Sequence, residues 1–393
     1  MKTYWRLPRG VDELLPPAAW ELEMLRRKVL DVFVSWGFEY VEPPVIEYLE
    51  SLLVGSGEDL DLQTLKVVDQ VSGKQLGVRA DMTSQAVRID AHSLVTDDIQ
   101  RLCYAGPVVF ANPQLAQTSR VPFKAGAEIF GSTSLAADAE VVGLMLETMA
   151  VAAVAEPVLL LGHMGIYRGL VDALLQSGAL AAQHEHELFH SVQRKSESDI
   201  AALLDDSELA LMVANLPSLM GDASVLDCAR TQLSNAPAPV LAAIAELAEL
   251  VSMVSALNQG VSVRVDIAEL SGYGYHNGPV FAVYHPQHGS ALAQGGRYDG
   301  VGAHFGRQRP ATGFDVNLKN LLVADSAAHI DDAVFAPYVQ AAQQHDLQQA
   351  VRKLRIAGQR IRCALTETES TPANCRRKLA LVEQQWQIVD CAD

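Results

Sequence analysis

The chain has 393 residues, enough for two or three domains and a large buried core. Hydrophobic residues make up 49% and charged residues 20%, which describes a globular chain and excludes a disordered one. The formal net charge is -17, with 30 Lys and Arg against 47 Asp and Glu, so non-specific nucleic-acid binding is not expected. No uninterrupted apolar run approaches the ~20 residues of a membrane span. The best window, Met149 to Leu161, is broken by Glu156-Pro157. The opening MKTYWRLPRG has no apolar h-region, so no secretory signal is expected there. The five cysteines are scattered and form no C-x-x-C pair, which fits reduced thiols and a cytoplasmic location.

A Pro-rich lead-in precedes a predicted helix from about Ala18 to Trp36. Leu22, Leu25, Val29, Phe33 and Trp36 make one apolar face, and Gly37 is the stop. Pro43-Pro44 excludes helix in the next segment and allows an edge strand or bulge. LKVVDQVSGKQLGV reads as strand, turn at Ser72-Gly73, strand. Thr83 to His92 reads as helix. Leu102 to Phe110 and Phe123 to Phe130 read as antiparallel strands joined by a loop, and Ala137 to Ala155 as an Ala-rich helix running into the buried strand PVLLLG.

From about 178 to 258 the chain turns to Ala, Leu, Glu and Gln, the signature of a helical insertion. SVRVDIAEL then places Val263, Val265 and Ile267 on one face of a strand. GPVFAVYHP and SALAQGGRYDG follow as further antiparallel strands, and ATGFDVNLKNLL is expected to begin a helix. After about 330 come a strand, a helix (Tyr338 to Ala357), a strand (Arg360 to Leu365), a polar loop and a last short helix. This order predicts an α+β architecture, not a doubly wound parallel sheet. The expected domains are a core over 1–325 and a small α/β domain over 330–393.

Phosphate-binding and nucleophile-elbow motifs are absent. His186 and His190 in HEHELFH are i, i+4 and could share a metal; the alternative is a solvated helix face, and no metal is expected. Four other constellations carry candidate chemistry. In RADMT, Asp81 and Thr83 lie two apart, so in extended chain they point to one side and offer oxygen acceptors to an ammonium group. The alternative is that Asp81 caps the helix beginning at Thr83. In FKAGAEIFG, Glu128 faces opposite to Ala127 and Ile129 and needs a partner inside a sheet, or else lies in a surface ion pair. In ELSGYGYHNG, Tyr273, Tyr275 and His276 sit among glycines, which permit either a close approach to a ligand or a simple turn. AQGGRYDG reads as a strand ending near Arg297 and Asp299.

In this order and at these spacings, these motifs resemble the catalytic core of histidyl-tRNA synthetase over residues 5 to 325. The resemblance implies an antiparallel sheet of the class II aminoacyl-tRNA synthetase type with flanking helices, a helical insertion and a small C-terminal α/β domain. YAGPVVF…AGAEIFG is similar to that family's second class II motif. ELSGYGYHNGPVF stands where its histidine-binding signature would lie, and GGRYDG with PATGF resembles the approach to its third motif. Three arginines of that family are missing. Phe110 stands in the place of the one that binds the α-phosphate, with Asn112 for a glutamate. Asn320 replaces the second ATP-binding arginine, and Ser271 the catalytic one. Losing one preorganised charge costs on the order of 10²–10³ in rate, so no catalytic residue is expected; Arg120 is the one candidate substitute.

RADMT, ELSGYxYHxG and the short tail resemble, over the whole chain, the family of ATP phosphoribosyltransferase regulatory subunits. That resemblance implies a non-catalytic subunit without a cofactor. It implies assembly with the short catalytic subunit as a hetero-octamer of four and four, activation of that partner, and feedback inhibition by L-histidine. It also implies a homodimer built on the helix before Gly37 and the strand carrying Pro44, with neither nucleic acid nor membrane as partner. Asp81 and Thr83 would hold the histidine ammonium, Glu128 and Tyr275 the imidazole, and His276 would shape the ring pocket.

Overall fold

The first apolar stripe forms α1 (Ala18–Ser35) in the computed structural model, which describes residues 6–54, 58–112, 119–204, 207–257, 260–270, 272, 274–322, 333–372 and 375–391. Leu25, Val29 and Phe33 are buried along one side of α1. Full burial of such a side chain is worth about 1.5–3 kcal/mol. Phe33 meets Phe314 edge to face at 5.8 Å, which fixes the helix on the sheet beneath it.

Short strands β1 (Glu39–Tyr40) and β2 (Ile46–Tyr48) flank Pro43-Pro44. Helices α2 (Leu49–Leu52) and α3 (Glu58–Gln63) lead into the predicted hairpin, β3 (Leu65–Val68) and β4 (Gln75–Val78). β2, β4 and β3 form a separate three-stranded antiparallel sheet. α4 (Thr83–Arg88) runs into one π-helical turn, Ile89–Ser93. Strands β5 (Gln100–Pro107) and β6 (Phe123–Phe130) pair antiparallel as expected. α5 (Leu135–Val151), capped by Ser134, leads to β7 (Val158–His163).

α6 (Met164–Ser177) precedes the inserted segment, which contains α7 (Glu185–Gln193), α8 (Glu197–Leu203) and α9 (Glu208–Asn215). A two-residue strand β8 (Met220–Gly221) interrupts it before α10 (Val225–Gln232) and α11 (Ala238–Leu257). Among the described residues the helix long and apolar enough to cross a bilayer is α11, and not Met149 to Leu161; here Val240, Ile244, Leu247, Leu250 and Val254 of α11 are buried in the core. The chain re-enters the sheet as β9 (Ser262–Asp266), parallel to β7.

Strands β10 (Pro279–Tyr284), β11 (Ala293–Arg297) and β12 (Ala311–Asn317) complete a nine-stranded sheet of order β1-β5-β6-β12-β11-β10-β7-β9-β8. Only β1–β5 and β7–β9 are parallel neighbours. β12 corrects the sequence reading: ATGFDVN is a strand, and LKNL makes only a 3-10 turn over Leu318–Leu321. The reason is period two. Phe314 and Val316 face the helices, while Gly313 and Asp315 face the other side.

That alternation gives the sheet its two faces. Cys103, Ala125, Ala127 and Ile129 join α1, α5, α6 and α11 in the main core. Leu102, Tyr104 and Phe130 point to the opposite face and a second, smaller cluster. Residues 1–322 make one unit and 323–393 another.

In the second unit, β13 (Val334–Ala336), α12 (Ala341–Ile356) and β14 (Ile361–Cys363) follow the expected order. The expected terminal helix is instead a hairpin of β15 (Arg377–Val382) and β16 (Gln385–Asp390). Its turn residues Glu383 and Gln384 both have positive φ, 48° and 67°. A two-residue turn of that kind ordinarily carries Asn-Gly, so Glu-Gln concealed it.

Candidate functional site

The sheet face away from the main helices floors a cavity of about 930 Å³, and Asp81, Thr83, Glu128, Tyr275 and His276 all line it. Tyr273 and Ser271 lie outside the described residues. The five arrive by three local rules. Glu128 is on the cavity side of β6 because Ala127 and Ile129 take the core side. Asp81 comes from the bend between β4 and α4, and Thr83 is the first residue of α4. Asp81 does not cap α4, whose N-cap is Met82 with no side-chain cap. Tyr275 and His276 follow a tight turn in which both of their N–H groups donate to the Gly272 carbonyl at 2.8 Å. Gly272 has φ +73°, and a Cβ there would collide with the His276 ring.

Glu128 is 1% exposed and forms no ion pair among the described residues, which removes the surface ion-pair reading. Tyr104 donates to its Oε1 at 2.8 Å and Tyr298 to its Oε2 at 2.6 Å. The Tyr104 hydroxyl is in turn 3.2 Å from Thr83 Oγ1. Burial pushes the Glu128 carboxyl up to about 8, against the opposing effect of these hydroxyls. The Tyr104, Tyr275 and Tyr298 hydroxyls are raised as well, first by burial and then by the neighbouring carboxylates. Gly313 sits opposite Glu128 in the β6–β12 ladder, and a Cβ there would collide with Glu128 Oε2.

Beside this chain lies a charged group that the sequence reading missed. Lys124 Nζ is 2.9 Å from Asp315 Oδ2 and 3.7 Å from Asp81 Oδ1. Burial alone would lower the Lys124 pKa, but Asp315 and Asp81 raise it and keep the ammonium charged. Three polar atoms of the cavity wall, Asp81 Oδ1, Ser84 Oγ and the Tyr275 hydroxyl, have no hydrogen-bond partner among the described residues, although Lys124 makes the longer ion pair to the first of them. A buried acceptor left open is costly, and a ligand carrying donors would satisfy it. Period two counted back from Glu128 leads to Lys124, and across the ladder Asp315 shares that face with Gly313. Tyr104 and Tyr298 carried no such local signal.

Among the described residues lining the cavity there is no arginine. Phe110 is there instead, 6% exposed and packed into the smaller core cluster. Asn320 accepts from Asn317 Nδ2. Arg120 is directed elsewhere: its Nε donates to the Phe110 carbonyl at 2.8 Å and a terminal nitrogen to the Arg9 carbonyl at 3.2 Å. Arg297 and Asp299 are structural, since Arg297 binds Asp138 at 2.6 Å with both side chains buried. His186 is exposed and His190 half-buried on the helix surface, and both also reach the cavity wall.

A family model described as histidyl-tRNA synthetase matches residues 10–321, and one described as the ATP phosphoribosyltransferase subunit HisZ C-terminal domain matches residues 331–389. An ATP phosphoribosyltransferase regulatory subunit of Ectopseudomonas mendocina is 46% identical over 99% of this chain and 98% of its own length. The chain belongs to the family of ATP phosphoribosyltransferase regulatory subunits. The Pseudomonas aeruginosa relative of the same description is 45% identical over 99% of this chain and 98% of its own.

The fold agrees with the α+β, class II synthetase-like expectation. A Bacillus halodurans structure described as an ATP phosphoribosyltransferase regulatory subunit/histidyl-tRNA synthetase superposes with TM-score 0.83. It is 24% identical and covers 94% of this chain and 95% of that one. Histidyl-tRNA synthetase from Nostoc sp. PCC 7120 gives TM-score 0.79 at 16% identity, covering 97% and 92%. The chain thus has a synthetase-like frame, and among the described residues the cavity within it is lined by carboxylates, hydroxyls and Lys124, without arginine.

Proposed function

We propose that this regulatory subunit performs no catalysis, raises the activity of a short-form catalytic ATP phosphoribosyltransferase, and carries feedback inhibition by histidine bound in the cavity. One observation supports this above others: among the described residues the cavity offers buried oxygen atoms to a cationic amino acid, its lysine is already paired with Asp315 and Asp81, and no arginine is there for a phosphate. Neutral Phe and Asn cannot make the bidentate, charge-assisted contacts that hold phosphate. Asp81 and Thr83 receive the ammonium, Glu128 and Tyr275 the imidazole, and His276 bounds the ring. The assembly is a cytoplasmic hetero-octamer of four and four, with a homodimer of this chain formed through α1 and the Pro44 segment. Exposed Trp20, Met24, Tyr40 and Val45 on those elements support that face as the contact.

Histidine shifts the assembly only by its difference in affinity for two arrangements. A tenfold inhibition needs about 1.4 kcal/mol of such difference. The test is the ATP phosphoribosyltransferase activity of the purified short catalytic subunit, alone, with this chain, and with histidine titrated in. Activation that histidine reverses only when this chain is present is expected, and Glu128→Ala is expected to keep the activation while losing histidine sensitivity. No change of rate and no co-elution would reject the role. Retained histidine sensitivity in Glu128→Ala would reject the site. Histidine-dependent ATP–pyrophosphate exchange by this chain alone would indicate a synthetase instead.

A further inference from the structure

The HEHELFH segment has no part in the function proposed above, yet the fold places it with purpose. It forms α7 in the insertion, and His186, Phe189, His190 and Gln193 lie along the cavity wall. One helical turn separates the two histidines, and their Nε2 atoms are hydrogen-bonded to each other at 3.0 Å. The rings stand at 85° with centroids 4.3 Å apart, and the Phe189 ring packs 5.1 Å from that of His190.

Two imidazole nitrogens at about 2.0–2.1 Å from one metal ion are ~3.0 Å apart at a right angle and ~3.4 Å apart in a tetrahedron. The observed separation already meets the first value. A metal ion would take the place of the proton that now joins the two rings. An i, i+4 pair on a helix face is the backbone spacing that such chelation requires.

We propose that His186 and His190 form a divalent transition-metal site at the edge of the cavity. Paired imidazoles select Zn²⁺, Ni²⁺ or Cu²⁺ over Mg²⁺ and Ca²⁺, which prefer oxygen. Among the described residues no third His, Cys, Asp or Glu completes the set. The remaining coordination positions are therefore open to water or to a molecule in the cavity. This inference does not depend on histidine being the cavity's ligand.

The probe is the metal alone, added to the full-length chain with a non-chelating reductant protecting exposed Cys228. Calorimetric titration with Ni²⁺ near neutral pH is expected to show a single strong equivalent. His186→Ala and His190→Ala should each weaken it by about tenfold or more, since even loss of an outer-shell partner costs 10–100-fold. His288→Ala, in an exposed turn, should leave it unchanged. In the unaltered chain, Ni²⁺ should broaden the imidazole resonances of His186 and His190 first, a reading that needs no variant to fold. Absence of binding, equal binding by the double variant, or first broadening at His285 and His288 would overturn the proposal.

Discussion

Replacing Glu128 by Gln should remove a pH dependence of stability that the cavity floor imposes. The carboxyl holds its proton up to about 8 in the folded chain, against an ordinary value of 4.5 when unfolded. Between those limits the folded form binds more protons than the unfolded one, so this contribution to stability is complete at the low end and is lost as pH rises toward the upper. One pH unit inside the window corresponds to about 1.4 kcal/mol. From about pH 5 to about pH 7 the parent chain therefore loses about 3 kcal/mol that Gln, which cannot ionise, does not lose. Gln alters the hydrogen bonds to Tyr104 and Tyr298, a change of about 1 kcal/mol that does not vary with pH. Urea unfolding of parent and variant across this range is the assay. The variant should gain on the parent steadily as pH rises. Parallel stability curves would refute the reasoning, because they would mean that Glu128 is ionised at neutral pH despite its burial.

Tyr275→Phe should leave stability unchanged or raise it by up to about 1 kcal/mol, since the hydroxyl has no partner. Under the proposed site it should also weaken histidine binding by about three- to tenfold, read by calorimetry on the same preparation. Gly313→Ala forces a methyl group against Glu128 and should cost about 1–3 kcal/mol in a urea titration. Arg297→Ala strands Asp138 without its ion pair and should cost about 3–5 kcal/mol in the same measurement.

Much of this fold was legible because its signals are periodic. α1 announced itself by Leu25, Val29 and Phe33, and the β3–β4 hairpin by alternation around Ser72-Gly73. Glu128 could be placed on the cavity side by counting from Ala127 and Ile129 alone. β12 was misread because its glycine and aspartate positions look like a break in an apolar pattern, when they are the face that meets the cavity. Tyr104 and Tyr298 escaped because their partner Glu128 is 24 and 170 residues away, and no local pattern encodes such a bond. The unexpected place of His186 and His190 has the same cause. Helical spacing aligned them with each other, but only tertiary packing decided what they face.

Phe110 limits what this position of the frame can carry. Its ring joins an apolar cluster with Ala80, Val108 and Tyr298 and also meets the cavity. An arginine at that position would give up those apolar contacts, and a guanidinium held in the cluster would meet a penalty of several kcal/mol until an anion reached it. A phosphate contact could not be added here by one substitution alone, because the neighbours of the ring would have to change with it. The apolar cluster, and not Phe110 by itself, thus fixes this end of the cavity as uncharged.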